Sequence, residues 1–154
     1  MRRVILAGLL ASALLATAGG VTSAVGRNSG DPPPLRLRSQ LEHVNYVDNG
    51  AAGRSAGDLL LFTERLLDAG GQAVGSDAAS CAVLFDERYL CTATFILPGG
   101  QIMVQLVQPG PTGTYDQAIT GGTGTYAGVS GIVTVEQSPS GDMFTFKTHL
   151  PKRR

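Results

Sequence analysis

Between Leu35 and Leu150 the sequence divides into about eight short apolar or alternating runs separated by turn residues. The runs are "LRLRSQLEHVNYV", "DLLLFTERLL", "ASCAVLF", "YLCTATFIL", "QIMVQLV", "TYDQAIT", "GIVTVEQ" and "MFTFKTHL". The breakers are "DNGAAGRSAG", "DAGGQAVGSD", "DER", "PGG", "PGPTG", "GGTGTYAGVSG" and "SPSG". Short β-rich runs at this spacing predict an antiparallel sandwich or barrel. "DLLLFTERLL" alone fits a helix or a strand, because a short apolar run carries no decisive period. With 21 glycines and 16% charged residues, the chain suits turn-rich β structure better than a helical bundle. Its 154 residues and 43% hydrophobic content provide for one domain with one core.

The first residues carry a different message. Arg2 and Arg3 precede an apolar run from Val4 to Ala18, and small residues follow. This is the layout of a secretory signal peptide over residues 1–24, with cleavage after Ala18 or Ala24. A membrane anchor is the competing reading, but the run is short for a span of about 20 residues and no basic stop-transfer cluster follows it. The chain is therefore expected to be secreted, with no stable membrane span after cleavage. Residues 25–34 hold three consecutive prolines and read as an extended tether. The folded domain is expected over 35–150, with a solvated basic tail at 151–154. Cleavage leaves the chain slightly acidic, and without a long basic face nucleic acid is not an expected partner.

Two hairpins can be placed from residue types. A turn at Gly99-Gly100 would set Leu97 opposite Ile102, Phe95 opposite Val104 and Ala93 opposite Leu106. The face holding Cys91, Ala93, Phe95, Leu97, Ile102, Val104 and Leu106 is apolar, while Thr92, Thr94, Gln101, Met103 and Gln105 share the other, so the first set is expected inside. A three-residue loop at Phe85–Glu87 would place Cys81 opposite Cys91. Directly opposed residues bring Cα atoms to about 4.5 Å, within disulfide reach. An exported chain favours that bridge over two free thiols.

The segment "AITGGTGTYAG" contains a Gly-x-Gly, which raises the question of a phosphate cradle. Such a cradle needs a helix behind it, but here the β-branched run "GIVTVEQ" follows and no "GK[ST]" occurs. Gly121, Gly122, Gly124 and Gly128 read instead as a sharp turn with close backbone approach, and Tyr126 as a plug at one end of the domain. His43 and His149 are the only histidines and form no metal-like cluster. No metal or cofactor is implied, and no "GxSxG" elbow is present.

The segment "AITGGTGTYAGVSG" closely resembles the signature of the allene oxide cyclase and dirigent superfamily. "GDLLLFTERLLDAGGQAVGSDAASCAVL" resembles the matching early segment of the cyclases, and "QIMVQ" and "MFTFKTHL" fall in the family's order. The resemblance covers roughly Leu35 to Leu150. It implies an all-β, eight-stranded antiparallel barrel with a central, mostly apolar cavity, often assembled as a homo-oligomer, here a trimer or dimer.

The cyclases use a Glu and an Asn on the first strand, a Pro shortly after, a Cys on the third strand and a deeper Tyr. Cys81 matches the Cys and Glu42 the Glu. Asn45 is out of register by one, the Pro has no counterpart, and the Tyr region has become "VQPGPTG". A disulfide at Cys81 would remove its role in the cyclases. The dirigent proteins use acidic residues with Arg and Tyr. Asp77 shares parity with Cys81, so it points into the lumen or sits solvated in the "GSDAAS" turn. Desolvation in an apolar cavity would raise its pKa, as a general acid or base requires. Arg54, Arg88, Tyr46, Tyr89 and Tyr115 are further candidates, each with a structural reading beside the functional one. Cys81, Ala93, Phe95, Val104 and Leu106 are the expected ligand-binding wall. The implied function is a secreted barrel that binds a small hydrophobic or aromatic molecule and steers its cyclisation or coupling by confinement. The alternative is a non-catalytic lipophile carrier, or a structural module with its lumen filled by Phe95, Phe144 and Phe146.

Overall fold

The computed structural model describes residues 34–108 and 113–151. The signal-peptide reading, nearly all of the tether and the last three residues of the tail lie outside the described residues. The strands are β1 (Leu35–Val47), β2 (Leu59–Leu67), β3 (Ala73–Val83), β4 (Tyr89–Leu97), β5 (Gly100–Gln108), β6 (Thr114–Gly122), β7 (Ser130–Glu136) and β8 (Met143–His149). Each pairs antiparallel with the next, and β8 returns to β1, closing an eight-stranded barrel. "DLLLFTERLL" therefore forms a strand, and alternation carries Glu64 and Leu66 to the buried face. Among the described residues no helix is long and apolar enough to cross a membrane.

One strand begins earlier than its turn residues suggest. "DAGGQAVGSD" has the composition of a breaker, yet β3 starts at Ala73 inside it. Asp68 explains the difference. Its Oδ1 accepts the amides of Gly70 at 2.8 Å and Gln72 at 2.9 Å, while its own amide donates to the Gln72 carbonyl at 2.9 Å. The reversal is complete at Gln72, so "AVGSD" is free to join the ladder. Asp77 consequently sits in mid-strand and not in a solvated turn.

The β3–β4 hairpin has the expected three-residue loop. The amide of Leu84 donates to the Arg88 carbonyl at 2.8 Å, and Glu87 takes the left-handed position with φ 65°. Cys81 is then the direct partner of Cys91, and the two form a disulfide with Cα atoms 4.0 Å apart. The β4–β5 turn differs from expectation by two residues of register. Leu97 pairs with Gly100, Phe95 with Ile102 and Ala93 with Val104. The turn residues are Pro98 and Gly99, because the proline ring presets φ for the first central position and Gly99 takes the positive φ, 93°, of the second. A shift of two preserves parity, so the expected inward face survives.

The lumen has two halves. The upper end carries the β2–β3, β4–β5 and β6–β7 connections; the lower end carries the β1–β2, β3–β4 and β7–β8 connections. In the upper half, the Phe95 ring meets those of Phe144 and Phe146 edge-on, with centroids 5.0 and 4.9 Å apart. Leu37, Leu66, Leu97, Ile102, Val104, Val129, Val133 and Val135 complete a packed core. Each such side chain contributes about 1.5–3 kcal/mol through burial.

Gly121 and Gly122 belong to β6, paired with Met103 and Ile102, and not to the turn expected of them; the segment that follows, from Thr123 to Val129, caps this upper end. Thr123 and Thr125 donate their amides to the carbonyls of Gln101 and Gly99 at 2.9 and 2.8 Å, and the amides of Tyr126, Ala127 and Val129 are bonded within the segment. With these donors committed to carbonyls, the segment is a backbone clasp and not an anion cradle. Gly124 is required there, because a Cβ would lie 2.1 Å from the Gly99 carbonyl oxygen. Tyr126 packs against the core, and its hydroxyl donates to the Pro98 carbonyl at 3.3 Å.

Candidate functional site

The lower half of the lumen is a pocket. Its apolar wall is built by Phe62, Ala79, Ala93, Leu106, Phe144 and the Cys81–Cys91 disulfide, and its polar groups are Glu64, Asp77, Tyr115, Gln117, Gln108 and Asp142. Its accessible volume is about 40 Å³. That accommodates a few waters, so a ring-sized guest needs the lining side chains to rearrange.

Topology brings the acids together. Glu64 on β2 and Asp77 on β3 are direct ladder partners, and they are 8% and 3% exposed. Asp142 arrives from the β7–β8 turn. Ser39 ties that turn to the pair: its hydroxyl donates to Glu64 Oε1 at 3.0 Å and accepts the Asp142 amide at 2.9 Å. The backbone adds a bond from the Ser39 amide to the Asp142 carbonyl at 2.7 Å.

Burial without a counter-ion governs the electrostatics. Desolvation, reinforced by the neighbouring Glu64, pushes Asp77 from an ordinary 3.8 to about 7. Burial also raises Glu64, against the opposing effect of the Ser39 hydroxyl. Asp142 is raised by burial, and Tyr115 by burial and the nearby carboxyls. Asp77 Oδ1 and Gln117 Oε1 are buried without a hydrogen-bond partner. Near neutral pH the pocket thus holds a carboxyl that can give or take a proton, beside a second acid that resists ionising with it.

Of the residues singled out in the sequence, Asp77, Cys81, Ala93, Leu106 and Tyr115 line this pocket, Cys81 as half of a disulfide and not as a thiol. Phe95 and Val104 belong to the packed upper half instead. Glu42 lies at a β-bulge between Leu41 and His43, where it pairs with Arg65, and it does not line the pocket. Arg54 sits over the Tyr89 ring, 4.8 Å from its centroid, and donates to the Glu87 carbonyl, while Arg88 pairs with Asp86. Tyr46 donates to Asp58, which also accepts the amides of Asn49 and Ser55 and so organises the β1–β2 loop. Glu64, Gln117, Asp142 and Ser39 were not singled out. For Glu64 the signal was present, since Phe62-x-Glu64-x-Leu66 alternates once the run is taken as a strand.

No protein-family model and no curated protein sequence matches the chain. Solved structures do. A pyocyanin demethylase superposes with a TM-score of 0.68 at 29% identity, over 75% of this chain and 99% of that one. A pterocarpan synthase dirigent protein superposes with a TM-score of 0.55 at 13% identity, over 77% of this chain and 88% of that one. The fold is the allene oxide cyclase/dirigent-like barrel. A Diels–Alderase from Streptomyces koyangensis shares this dirigent-like barrel at a TM-score of 0.55 and 18% identity, over 77% of this chain, which spans 60% of the Diels–Alderase.

Proposed function

We propose that this dirigent-like barrel is an exported protein that admits a small hydrophobic or aromatic molecule to the lower lumen and rearranges it by confinement with acid–base assistance. The observation that carries the reading is Asp77, buried opposite Glu64 in an apolar pocket, with one oxygen unpartnered. Confinement fixes the reacting geometry. Asp77 moves a proton, its pKa brought to about 7 first by burial and then by the neighbouring Glu64. Similarity to barrels named for demethylation and cycloaddition supports a small organic substrate. Pyocyanin is the first compound to assay, followed by phenolic and heteroaromatic panels. Turnover by the purified protein that is lost in Asp77→Asn, with the fold retained, is the expected result. Turnover unaffected by Asp77→Asn and by Glu64→Gln would remove the acid–base role.

The filled upper half favours a second reading, a non-catalytic module of the cell exterior, either structural or a passive carrier. Three acids in the pocket weigh against a carrier for plain lipophiles. Native mass spectrometry of protein recovered from its own medium separates the readings: a retained small molecule supports a ligand barrel, and its mass class defines the substrates. The same spectrum reads the oligomeric state, proposed as a dimer or trimer, and the cleaved N-terminus.

A further inference from the structure

We propose that the pocket selects an organic cation that donates hydrogen bonds, such as an amidinium or a protonated aminoheteroaromatic. Its cationic end would lie toward Asp77 and Gln117, and its ring against Phe62 and Tyr115. The inference rests on reading the lower lumen as a ligand site, and it adds the chemistry of the guest.

Two buried side chains define what is missing. Asp77 is 3% exposed and Gln117 7%, both line the pocket, and each leaves an oxygen without a partner. Gln117 Oε1 is an acceptor, and Asp77 Oδ1 is one whenever the carboxyl is ionised. A buried acceptor left unmade is costly, and what completes it is an N–H or O–H brought by the guest. Water in the empty pocket can supply that donor, so the hydrogen bond alone does not choose the ligand.

Charge makes the choice. Glu64 and Asp142 line the same space, and among the described residues no arginine, lysine or histidine does. An anion is repelled, and a neutral donor leaves the acids unopposed. A cation answers both the orphaned acceptors and the uncompensated charge, and charge-assisted bonds are the stronger kind. A bare metal ion fits poorly: among the described residues no three His, Cys, Asp or Glu side chains are grouped to hold one. The aromatic wall, in contrast, suits the face of a planar cation.

Binding should then be linked to protons. Empty, the site lowers its charge by protonating Asp77. A bound cation takes over that role and expels the proton, so affinity rises with pH through about 7. The titratable groups facing Asp77 are Glu64 from β2, Tyr115 from β6 and Asp142 from the β7–β8 turn. The β1 neighbour Ser39 and the β4 and β8 residues of the pocket do not titrate in this range.

The test uses benzamidine, benzamide and benzoate, three probes of matched ring and size that are cationic, neutral and anionic. Each is titrated into the purified protein by heteronuclear NMR, following the amides of Cys91, Leu106 and Tyr115. Benzamidine is expected to bind at least about tenfold tighter than benzamide, with no saturable shift from benzoate. In Asp77→Asn, a near-isosteric change whose folding the same spectra report, benzamidine should lose that advantage while benzamide is unchanged. The advantage should also grow from about pH 6 to about pH 8. Equal binding of benzamidine and benzamide would overturn the cation inference and leave the aromatic site standing. A benzamidine preference that persists in Asp77→Asn would overturn the assignment to Asp77. If none of the probes shifts the lumen amides, both the inference and the ligand-site reading fall.

Discussion

Glu64 on β2 and Asp77 on β3 face each other as direct partners of one ladder, with both carboxyls in the closed lumen. Like charges opposed across a sheet destabilise it, and among the described residues no arginine, lysine or histidine lines the pocket to relieve them. The folded protein therefore holds a proton that the unfolded chain releases. Because the folded value for Asp77, about 7, lies above its ordinary 3.8, stability is highest below the lower value and declines as pH rises toward the upper one, then levels. The loss is on the order of 4 kcal/mol for Asp77, and Glu64 and Asp142 act in the same direction. Melting temperature should be higher near pH 5 than near pH 8. Asp77→Asn should remove most of that slope, and a variant with the full slope intact would refute the role of this carboxyl.

Ser39 bonds to Asp142, 103 residues away, and to Glu64, and so links the Glu64 carboxyl to the Asp142 backbone. It is the point where β1, after pairing with β8 only through Leu35–Arg38, remains attached to the closing turn. Ser39→Ala leaves an amide and a carboxyl without their partner and should cost about 1–3 kcal/mol in denaturant unfolding. The Glu64 pKa should rise further, since the hydroxyl is what opposes desolvation there. Ser39→Thr, which keeps the hydroxyl, should restore most of both effects. Equal loss in the threonine variant would point to crowding at the site and not to the missing bond.

The Cys81–Cys91 bridge joins adjacent strands in the wall of the pocket. It closes a loop of sequence separation 10, for which chain entropy gives about 2–3 kcal/mol. For a domain of this size that corresponds to a melting temperature lower by roughly 8–12 °C after reduction. A scan with and without reductant, with thiol content verified, measures it. An unchanged melt in the fully reduced protein would show that the ladder alone holds the strands.

Most of the barrel was legible because period-two alternation and turn chemistry agree along the chain. Glycine and aspartate misled where their side chains or turns were completed sooner than composition implies: Asp68 ends the β2–β3 turn at Gln72, which moved Asp77 from an apparent turn into the lumen. Pro98 took the turn position assigned to Gly100, though parity protected the inward face. The acid cluster was only partly visible. Parity with Cys81 made Asp77 a candidate beside the solvated-turn reading, but Glu64 lies in a run whose period is legible only once the run is taken as a strand. Asp142 comes from a turn whose position over the lumen depends on barrel closure, and Ser39 depends on it likewise. Such contacts between distant residues leave no local pattern to read.

Phe144 belongs to both halves of the lumen. Its ring meets Phe95 in the packed half and also lines the pocket. Shortening it should therefore exchange stability for space. Phe144→Ala removes a nearly buried ring and should cost about 3–5 kcal/mol, enough to threaten the fold. Phe144→Leu keeps the branch that packs on Phe95 and should cost less, roughly 1–2 kcal/mol. The freed volume extends the pocket upward, so the leucine variant should gain affinity for bicyclic guests over single rings relative to the parent. Calorimetric titration of a matched one-ring and two-ring pair measures the change. Loss of stability without any change in that preference would mean that neighbouring side chains collapse into the space and that Phe144 does not set the depth of the pocket.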